Sequence, residues 1–169
     1  MNDSSAHELI ASLELITPTI PQERLSVRLT LLNVGSRRLL LPDPKITALR
    51  FQSSARPHVA EWYTRILLSV RSTVVTVLAS GAAGTFDFDV HFRSTEIERF
   101  EPGNPAFHRW FVEVPPGEFA VWYEYQVADD FFDGDSHWRF ADLQRAAMAE
   151  NAVAWKGNIV SNTIIGVRS

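Results

Sequence analysis

Cysteine is absent from this sequence of 169 residues. Its absence excludes disulfide bonds, thiolate metal sites and cysteine nucleophiles together. Lysine is scarce: Lys45 and Lys156 are the only lysines among the 16 lysine and arginine residues. The formal net charge is −4. A chain with this charge has no bulk positive field to attract nucleic acid or an anionic membrane surface. The composition therefore predicts neither a nucleic-acid partner nor a membrane partner.

Long apolar runs are missing as well. The sequence has nowhere the roughly 18 consecutive apolar residues of a membrane-spanning helix, and residues 1–14 lack the basic start and apolar stretch of a signal peptide. As written, it predicts a cytoplasmic protein, or a secreted one if a leader has been removed. The length fits one domain over residues 1–169, with a disordered terminus at residues 1–7.

A period of two is the main pattern that is present. Apolar and polar residues alternate over 9–15, 24–32, 85–92 and 119–127. Because successive side chains of a strand point to opposite faces, this period predicts strands with one buried and one wet face. Less regular strands are predicted at 38–41, 46–51, 66–70, 74–78, 107–114 and 159–167.

Helical composition occurs in one late segment, 140–151, which is rich in alanine, leucine and charged helix formers. About eight to ten short strands and one helix predict an all-β fold. The expected architecture is a two-sheet antiparallel immunoglobulin-like β-sandwich, with a β-barrel as the alternative.

The stretch from Val112 to Val127 predicts a central hairpin. A strand ends in Pro115-Pro116-Gly117, and an aromatic strand follows with Phe119, Val121, Tyr123, Tyr125 and Val127 on one face. Proline and glycine favour a tight turn between two such segments. The hairpin would place Trp110 and Trp122 in adjacent strands.

Several turns carry a resemblance. They are Leu32-Asn33-Val34-Gly35, Glu101-Pro102-Gly103, Pro116-Gly117-Glu118-Phe119, and Trp155-Lys156-Gly157 through Ser161-Asn162. Outside residues 52–83, the chain resembles bacterial immunoglobulin-like or fibronectin type III-like modules, many of them uncharacterised. The resemblance implies the sandwich fold and no particular activity. Phe119 stands near the corner where such modules usually carry a tyrosine, and Tyr123 or Tyr125 could take that role.

An acidic loop follows the aromatic strand. It contains Asp129, Asp130, Asp133 and Asp135, and Gly134 permits a sharp turn between the last two. Carboxylate oxygens are the ligands that Ca²⁺ prefers, although the spacing differs from that of an EF-hand. The alternative is a solvated connection in which Asp-Gly supplies turn chemistry. No other cofactor is predicted.

Aromatic residues in loop-like contexts form the candidate binding surface. They are Trp62, Tyr63, Phe131, Phe132 and Trp138. Exposed flat aromatic side chains stack on sugars or anchor protein partners. The sequence therefore favours a protein or glycan partner, bound through these aromatics or through exposed sheet edges.

No catalytic motif supports an enzyme. The serines lack a nucleophile elbow, and His91 shares an outward strand face with Asp87 and Asp89 in a pattern equally typical of a wet sheet surface. The leading prediction is a noncatalytic interaction module. The alternatives are a small enzyme or accessory enzyme domain using the acidic loop 129–137, and a structural subunit that self-associates into a homo-oligomer.

Overall fold

The computed structural model describes residues 8–16, 24–64, 74–92, 110–132 and 137–169. The predicted terminus at 1–7 and the predicted strand at 66–70 lie outside these ranges. Most of the described residues are in β-strands, and one α-helix is present among them, so the predicted all-β class is confirmed. No described helix combines the length and the apolar character that crossing a membrane requires.

The elements are numbered in chain order. The strands are β1 (Leu9–Leu15), β2 (Arg24–Asn33), β3 (Leu39–Pro42), β4 (Leu49–Ser53), β5 (Arg56–Val59), β6 (Trp62–Thr64), β7 (Val75–Leu78), β8 (Ala83–Phe92), β9 (Trp110–Val112), β10 (Gly117–Val127), β11 (Asp130–Phe132), β12 (His137–Arg139), β13 (Val153–Ala154), β14 (Gly157–Val160) and β15 (Ile164–Arg168). A 3-10 turn, Ile46–Ala48, precedes β4, and helix α1 (Phe140–Ala149) follows β12.

These strands form three sheets and a hairpin. The first sheet has the order β1-β2-β8-β9-β6, and the second has β14-β10-β4-β5, with β15 also paired to β10. The third sheet has the order β13-β3-β7, and β11 pairs with β12. Neither large sheet closes on itself within the described residues, so the barrel alternative is wrong for this part of the chain.

The first sheet confirms the period-two prediction. Leu25, Val27, Leu29 and Leu31 of β2 are fully buried, whereas the residues between them are only half-buried. β1 pairs antiparallel with β2 from Leu9 opposite Asn33 to Leu15 opposite Val27. Burial of one face against the core fixes this register, because a slip by one residue would expose every leucine.

Strand β10 is the centre of the second sheet. The five residues predicted to face inward from it are all buried: Phe119, Val121, Tyr123, Tyr125 and Val127. β4 pairs with one edge of β10, while β15 and β14 pair in succession with the other. This eleven-residue strand thus pairs directly with three others, and β5 joins the sheet through β4.

Aromatic rings join the two large sheets. Phe88 of β8 stacks on Tyr123 of β10 with centroids 6.3 Å apart, and Phe92 meets Phe119 edge-on at 5.5 Å. Burial of such large side chains is the main stabilising contribution available to a chain without disulfides. Both sheets therefore share one hydrophobic core.

The predicted central hairpin is wrong. β9 pairs with β6 and β8 in the first sheet, whereas β10 belongs to the second, so Trp110 and Trp122 are not in adjacent strands. The connection at 113–116 contains Pro115 and Pro116, which have no N–H to donate to a ladder. Gly117 then enters β10 at φ 115°, a conformation that favours glycine. Residues 113–116 thus form a connection between two sheets, with a bend at Pro116, where a tight hairpin turn was predicted.

The predicted last strand, 159–167, is divided at 161–163 into β14 and β15. At the division the Ser161 N–H donates to the Tyr123 carbonyl, and the Ser161 hydroxyl accepts from the Tyr123 N–H, both at 2.9 Å. A side chain thus replaces a backbone carbonyl in the ladder. β10 keeps its hydrogen bonds where its partner bends.

Other boundaries also differ from the prediction. The strand predicted at 46–51 begins with the 3-10 turn, the polar segment after it contains β5, and the acidic loop includes β11 and β12 at its ends. More and shorter strands result than predicted, because pairing with distant partners decides strand formation in such segments. The helix predicted at 140–151 is confirmed as α1, with Leu143 and Ala147 buried.

Candidate ligand-binding groove

A cavity of about 490 Å³ lies where the two large sheets meet the β11–β12 hairpin. We call it the groove, and define it by three aromatic and four charged residues: Trp62, Trp110, Phe131, Lys45, Arg50, Glu124 and Asp130. Its volume falls within the range of about 300–1,000 Å³ typical of ligand sites. The contributing strands are far apart in sequence and come together only in the folded chain.

Trp62 forms a fixed part of the groove wall. Its indole N–H donates to the Leu49 carbonyl at 2.9 Å, and its ring meets Phe51 edge-on with centroids 5.9 Å apart. The side chain is half-buried. Because both contacts set the orientation of the ring, a ligand stacking on it would lose little side-chain entropy.

Phe131 contributes a second supported aromatic side chain. It lies opposite Trp138 in the β11–β12 pairing, and the two rings are parallel within 5° at 6.4 Å. Phe131 is only 7% exposed, so it supports the groove wall more than it offers a contact surface. Trp110 of β9 is half-buried and provides the further aromatic surface.

The charges of the groove are balanced. Arg50 donates from Nη1 to the Thr47 carbonyl at 2.8 Å, and its Nε lies 3.7 Å from Oε2 of Glu124. Lys45 adds a second positive charge and Asp130 a second negative charge. The four side chains therefore sum to zero formal charge at neutral pH.

Alternation along β10 places Glu124 and Gln126 at the groove. Their neighbours Tyr125 and Val127 are buried, and the two polar residues point to the opposite face, as the sequence predicted. No sequence pattern indicated that Arg50 of β4 lies beside Glu124, because this contact depends on the pairing of β4 with β10. Trp110 was also missed, because a strand tryptophan is more often a core residue.

The structure divides the five predicted binding residues. Trp62 and Phe131 meet in the groove, and Trp138 packs against Phe131. Tyr63 is 39% exposed and lines a separate cavity of about 280 Å³, because adjacent residues of β6 face opposite ways. Phe132 belongs to β11, and its side chain lies outside the described part of the chain.

The predicted calcium ligands are described only in part. Asp129 accepts a hydrogen bond from Nζ of Lys156 at 2.7 Å, and Asp130 lines the groove. Asp133 and Asp135 lie outside the described residues. Within the described ranges, no group of three or more histidine, aspartate or glutamate residues could hold a metal ion. The calcium site therefore stays a prediction.

The outward face of β2 and β8 carries a ladder of ion pairs. Arg28 donates to both carboxylate oxygens of Asp87, at 2.7 and 2.9 Å, while Ser26 and Arg24 both donate to Asp89. The hydrogen bonds from Arg28 lower the pKa of Asp87, and those from Ser26 and Arg24 lower the pKa of Asp89. Both carboxylates are thus engaged by donors of β2, as on a wet sheet face.

Comparison with known proteins gave no assignment: no protein-family model matches the sequence, and neither a curated protein nor a solved structure matches it significantly.

Proposed function

We propose that the protein is a noncatalytic interaction module, built on an immunoglobulin-like β-sandwich, that binds a protein or glycan partner in the groove. One observation carries the proposal. Trp62 and Trp110 stand in a single cavity with Lys45, Arg50, Glu124 and Asp130. Aromatic surface combined with a few convergent polar groups is the usual composition of a ligand site.

The support for the sandwich comes from the core. Two five-stranded sheets contact each other through Phe88 and Tyr123 and through Phe92 and Phe119. Face-to-face contact of two open sheets is the arrangement of sandwich domains. Such domains place their loops and sheet margins at the surface, where the groove lies.

The support for binding comes from the fixed geometry of the groove. Trp62 is held by Leu49 and Phe51, and Arg50 is held by Thr47 and Glu124. Side chains that are already ordered lose little entropy when a ligand arrives. Tryptophans often contribute a large share of the binding free energy in interfaces, so the half-buried Trp62 and Trp110 are suited to contact a ligand.

The test compares Trp110→Ala with Tyr63→Ala. Tyr63 is the matched control, because it is an accessible aromatic residue of a separate cavity. Wild type and both variants are titrated by calorimetry against a library of neutral oligosaccharides and a library of synthetic peptides. We expect at least one ligand to bind the wild type. Its affinity should fall about ten- to hundred-fold in Trp110→Ala, because a central aromatic contact is lost, and should be unchanged in Tyr63→Ala.

Two further measurements complete this test. Trp110→Phe keeps an aromatic ring and is expected to retain much of the affinity. This result would show that Trp110→Ala weakens binding through the lost aromatic contact and not through loss of folding. Mass spectrometry of the bound ligand after prolonged incubation is expected to show an unchanged molecule. No binding in either library, or binding that Trp110→Ala leaves intact, would contradict the proposal, and turnover of the ligand would contradict its noncatalytic part.

Self-association is a second candidate, and strand β15 favours it. Ile165 and Val167 are 59% and 62% exposed on its outward face, and no described strand pairs with the edge opposite β10. In an antiparallel pairing of two β15 strands centred on Gly166, Ile165 of one copy would lie opposite Val167 of the other. The strand is therefore self-complementary, as a twofold interface requires.

The expected result is a dimer that β15 controls. Sedimentation of the wild type at several concentrations is predicted to show a mass that rises toward two chains. Val167→Lys should shift the protein to one chain, because a buried unpaired ammonium group is strongly unfavourable in an apolar contact. Val74→Lys alters another exposed valine, 55% accessible, and should leave the mass unchanged. A wild-type mass of one chain throughout would exclude this candidate.

A further inference from the structure

We infer that the ligand of the groove is a neutral oligosaccharide. This inference rests on the proposed binding function and narrows it to one chemical class. Three properties of the groove lead to it: its tryptophans, its balanced charge, and the planar polar groups along β4 and β10.

The tryptophans suit a sugar ring. One face of a pyranose presents C–H groups with partial positive charge, and the face of an indole ring is the negative part of its quadrupole. Trp62 and Trp110 come from the paired strands β6 and β9, and both reach the groove. The indole N–H of Trp62 is engaged with the Leu49 carbonyl, so its ring face is the part that can meet a ligand.

The charge balance argues against an ionic ligand. An anion would be attracted by Lys45 and Arg50 but repelled by Glu124 and Asp130. A cation would be attracted by the two carboxylates and repelled by the two basic side chains. Opposing charges of this kind act against charged ligands of either sign. A polar ligand without net charge avoids both penalties.

The polar groups can satisfy hydroxyls in pairs. Nη1 of Arg50 donates to Thr47 and its Nε lies beside Glu124, so the two N–H groups of Nη2 are the donors that Arg50 offers a ligand. The carboxylate of Glu124 offers two acceptors, and the amide of Gln126 offers a donor and an acceptor. Neighbouring hydroxyls of a sugar are donors and acceptors at once, so each planar group can bind two of them. Hydrogen bonds that involve an ionised partner are the stronger ones.

The probes of the test are β-linked hexasaccharides of glucose, xylose, mannose and N-acetylglucosamine, titrated by calorimetry. We expect binding of at least one of them, with an affinity that stays constant within about two-fold between ~0.1 and ~1 M NaCl, because no ligand charge is screened. Trp110→Ala should weaken it at least about ten-fold, and Tyr63→Ala should leave it unchanged.

A pair of variants at Glu124 tests the hydrogen bonding. Glu124→Ala is expected to weaken binding about ten-fold, through loss of charge-assisted hydrogen bonds. Glu124→Gln should recover most of this loss, since an amide keeps a planar group with an acceptor. Equal losses in the two variants would show that the carboxylate acts by charge and would overturn the inference.

The outcomes separate this inference from the proposed function. Peptide binding in the groove without oligosaccharide binding overturns the inference and leaves the binding function intact. Oligosaccharide binding that weakens steeply with salt, or that Trp110→Ala does not alter, also overturns it. Absence of any ligand among oligosaccharides and peptides overturns both.

Discussion

At the scale of single residues, Asn33 shows how a turn motif can serve a purpose other than the expected one. Asparagine and glycine are the residues that most readily adopt positive φ in a turn, but neither Asn33 nor Gly35 does so. Gly35 is needed for space, because a Cβ there would lie 2.8 Å from Cγ of Glu8. Asn33 is fully buried, and its amide connects the backbone at 35–37 with the backbone at 78–79.

Replacing Asn33 by alanine should destabilise the fold. Its Nδ2 donates to the carbonyls of Arg37, Leu78 and Ala79 at 2.7–3.1 Å, and its Oδ1 accepts from the Gly35 N–H at 3.0 Å. Alanine would remove all four hydrogen bonds, of which the one to Leu78 is buried and the others are half-buried, at a cost of roughly 2–4 kcal/mol in the free energy of unfolding. Urea denaturation measures this difference.

The matched control for Asn33→Ala is Asn158→Ala. Asn158 is exposed on β14, so its loss should change the free energy of unfolding by less than about 0.5 kcal/mol. A similar effect of both substitutions would show that the buried amide has no special structural role.

At the scale of elements, the pairing of β2 with β8 combines a buried leucine face with an outward ladder of charges. Arg28 lies opposite Asp87, and Ser26 lies opposite Asp89. The register set by the buried face also aligns these opposite charges, because the two faces alternate along one strand. The ladder therefore supports the register that the core selects.

This ladder predicts a dependence of stability on pH. Hydrogen bonds from β2 lower the folded-state pKa of Asp87 and of Asp89. A lowered pKa stabilises the fold at pH values above the unfolded-state pKa, which is about 3.9. This contribution disappears as the pH falls through the folded-state pKa. The double variant Asp87→Asn with Asp89→Asn should be less stable than wild type at pH 7, with a difference that shrinks below about pH 4.

Urea denaturation at several pH values checks this prediction. The pairs are exposed to solvent, so raising the salt concentration should also reduce the difference between variant and wild type. A difference that is constant from neutral to acid pH would contradict the proposed linkage.

At the scale of the whole molecule, the sheets are joined by contacts between residues distant in sequence. The Tyr125 hydroxyl of β10 donates to the Pro42 carbonyl of β3 at 2.6 Å, across 83 residues, and its ring stacks on the fully buried Trp155. A corner tyrosine of an immunoglobulin-like module would instead bond to the backbone a few residues away. Tyr125 links the second sheet to the third.

Tyr125→Phe is predicted to lower the free energy of unfolding by about 1–3 kcal/mol. The substitution keeps the ring contact but leaves the buried Pro42 carbonyl without this donor. Tyr63→Phe is the control, because Tyr63 is 39% exposed and water can replace its hydroxyl contacts. Thermal and urea unfolding should agree, and an effect of Tyr125→Phe no larger than that of the control would contradict the role of this bond.

The sequence predicted the long elements of the fold well and the short ones poorly. β1, β2, β8, β10 and α1 follow from patterns that extend over seven or more residues. Strands of two to four residues, such as β5 and β13, carry too few positions to show a period. For the candidate site, Trp62 and Phe131 were predicted to bind, whereas Trp110, Arg50 and Glu124 were not.

By itself, the sequence determined which side chains of the long strands enter the core, because alternation along one strand is a local property. It also determined the absence of disulfides and the scarcity of lysine. Only the tertiary structure decided that β9 and β10 belong to different sheets and that Trp62, Trp110 and Glu124 meet in one groove. These results depend on pairing between distant segments, which the free energy of the whole folded chain selects.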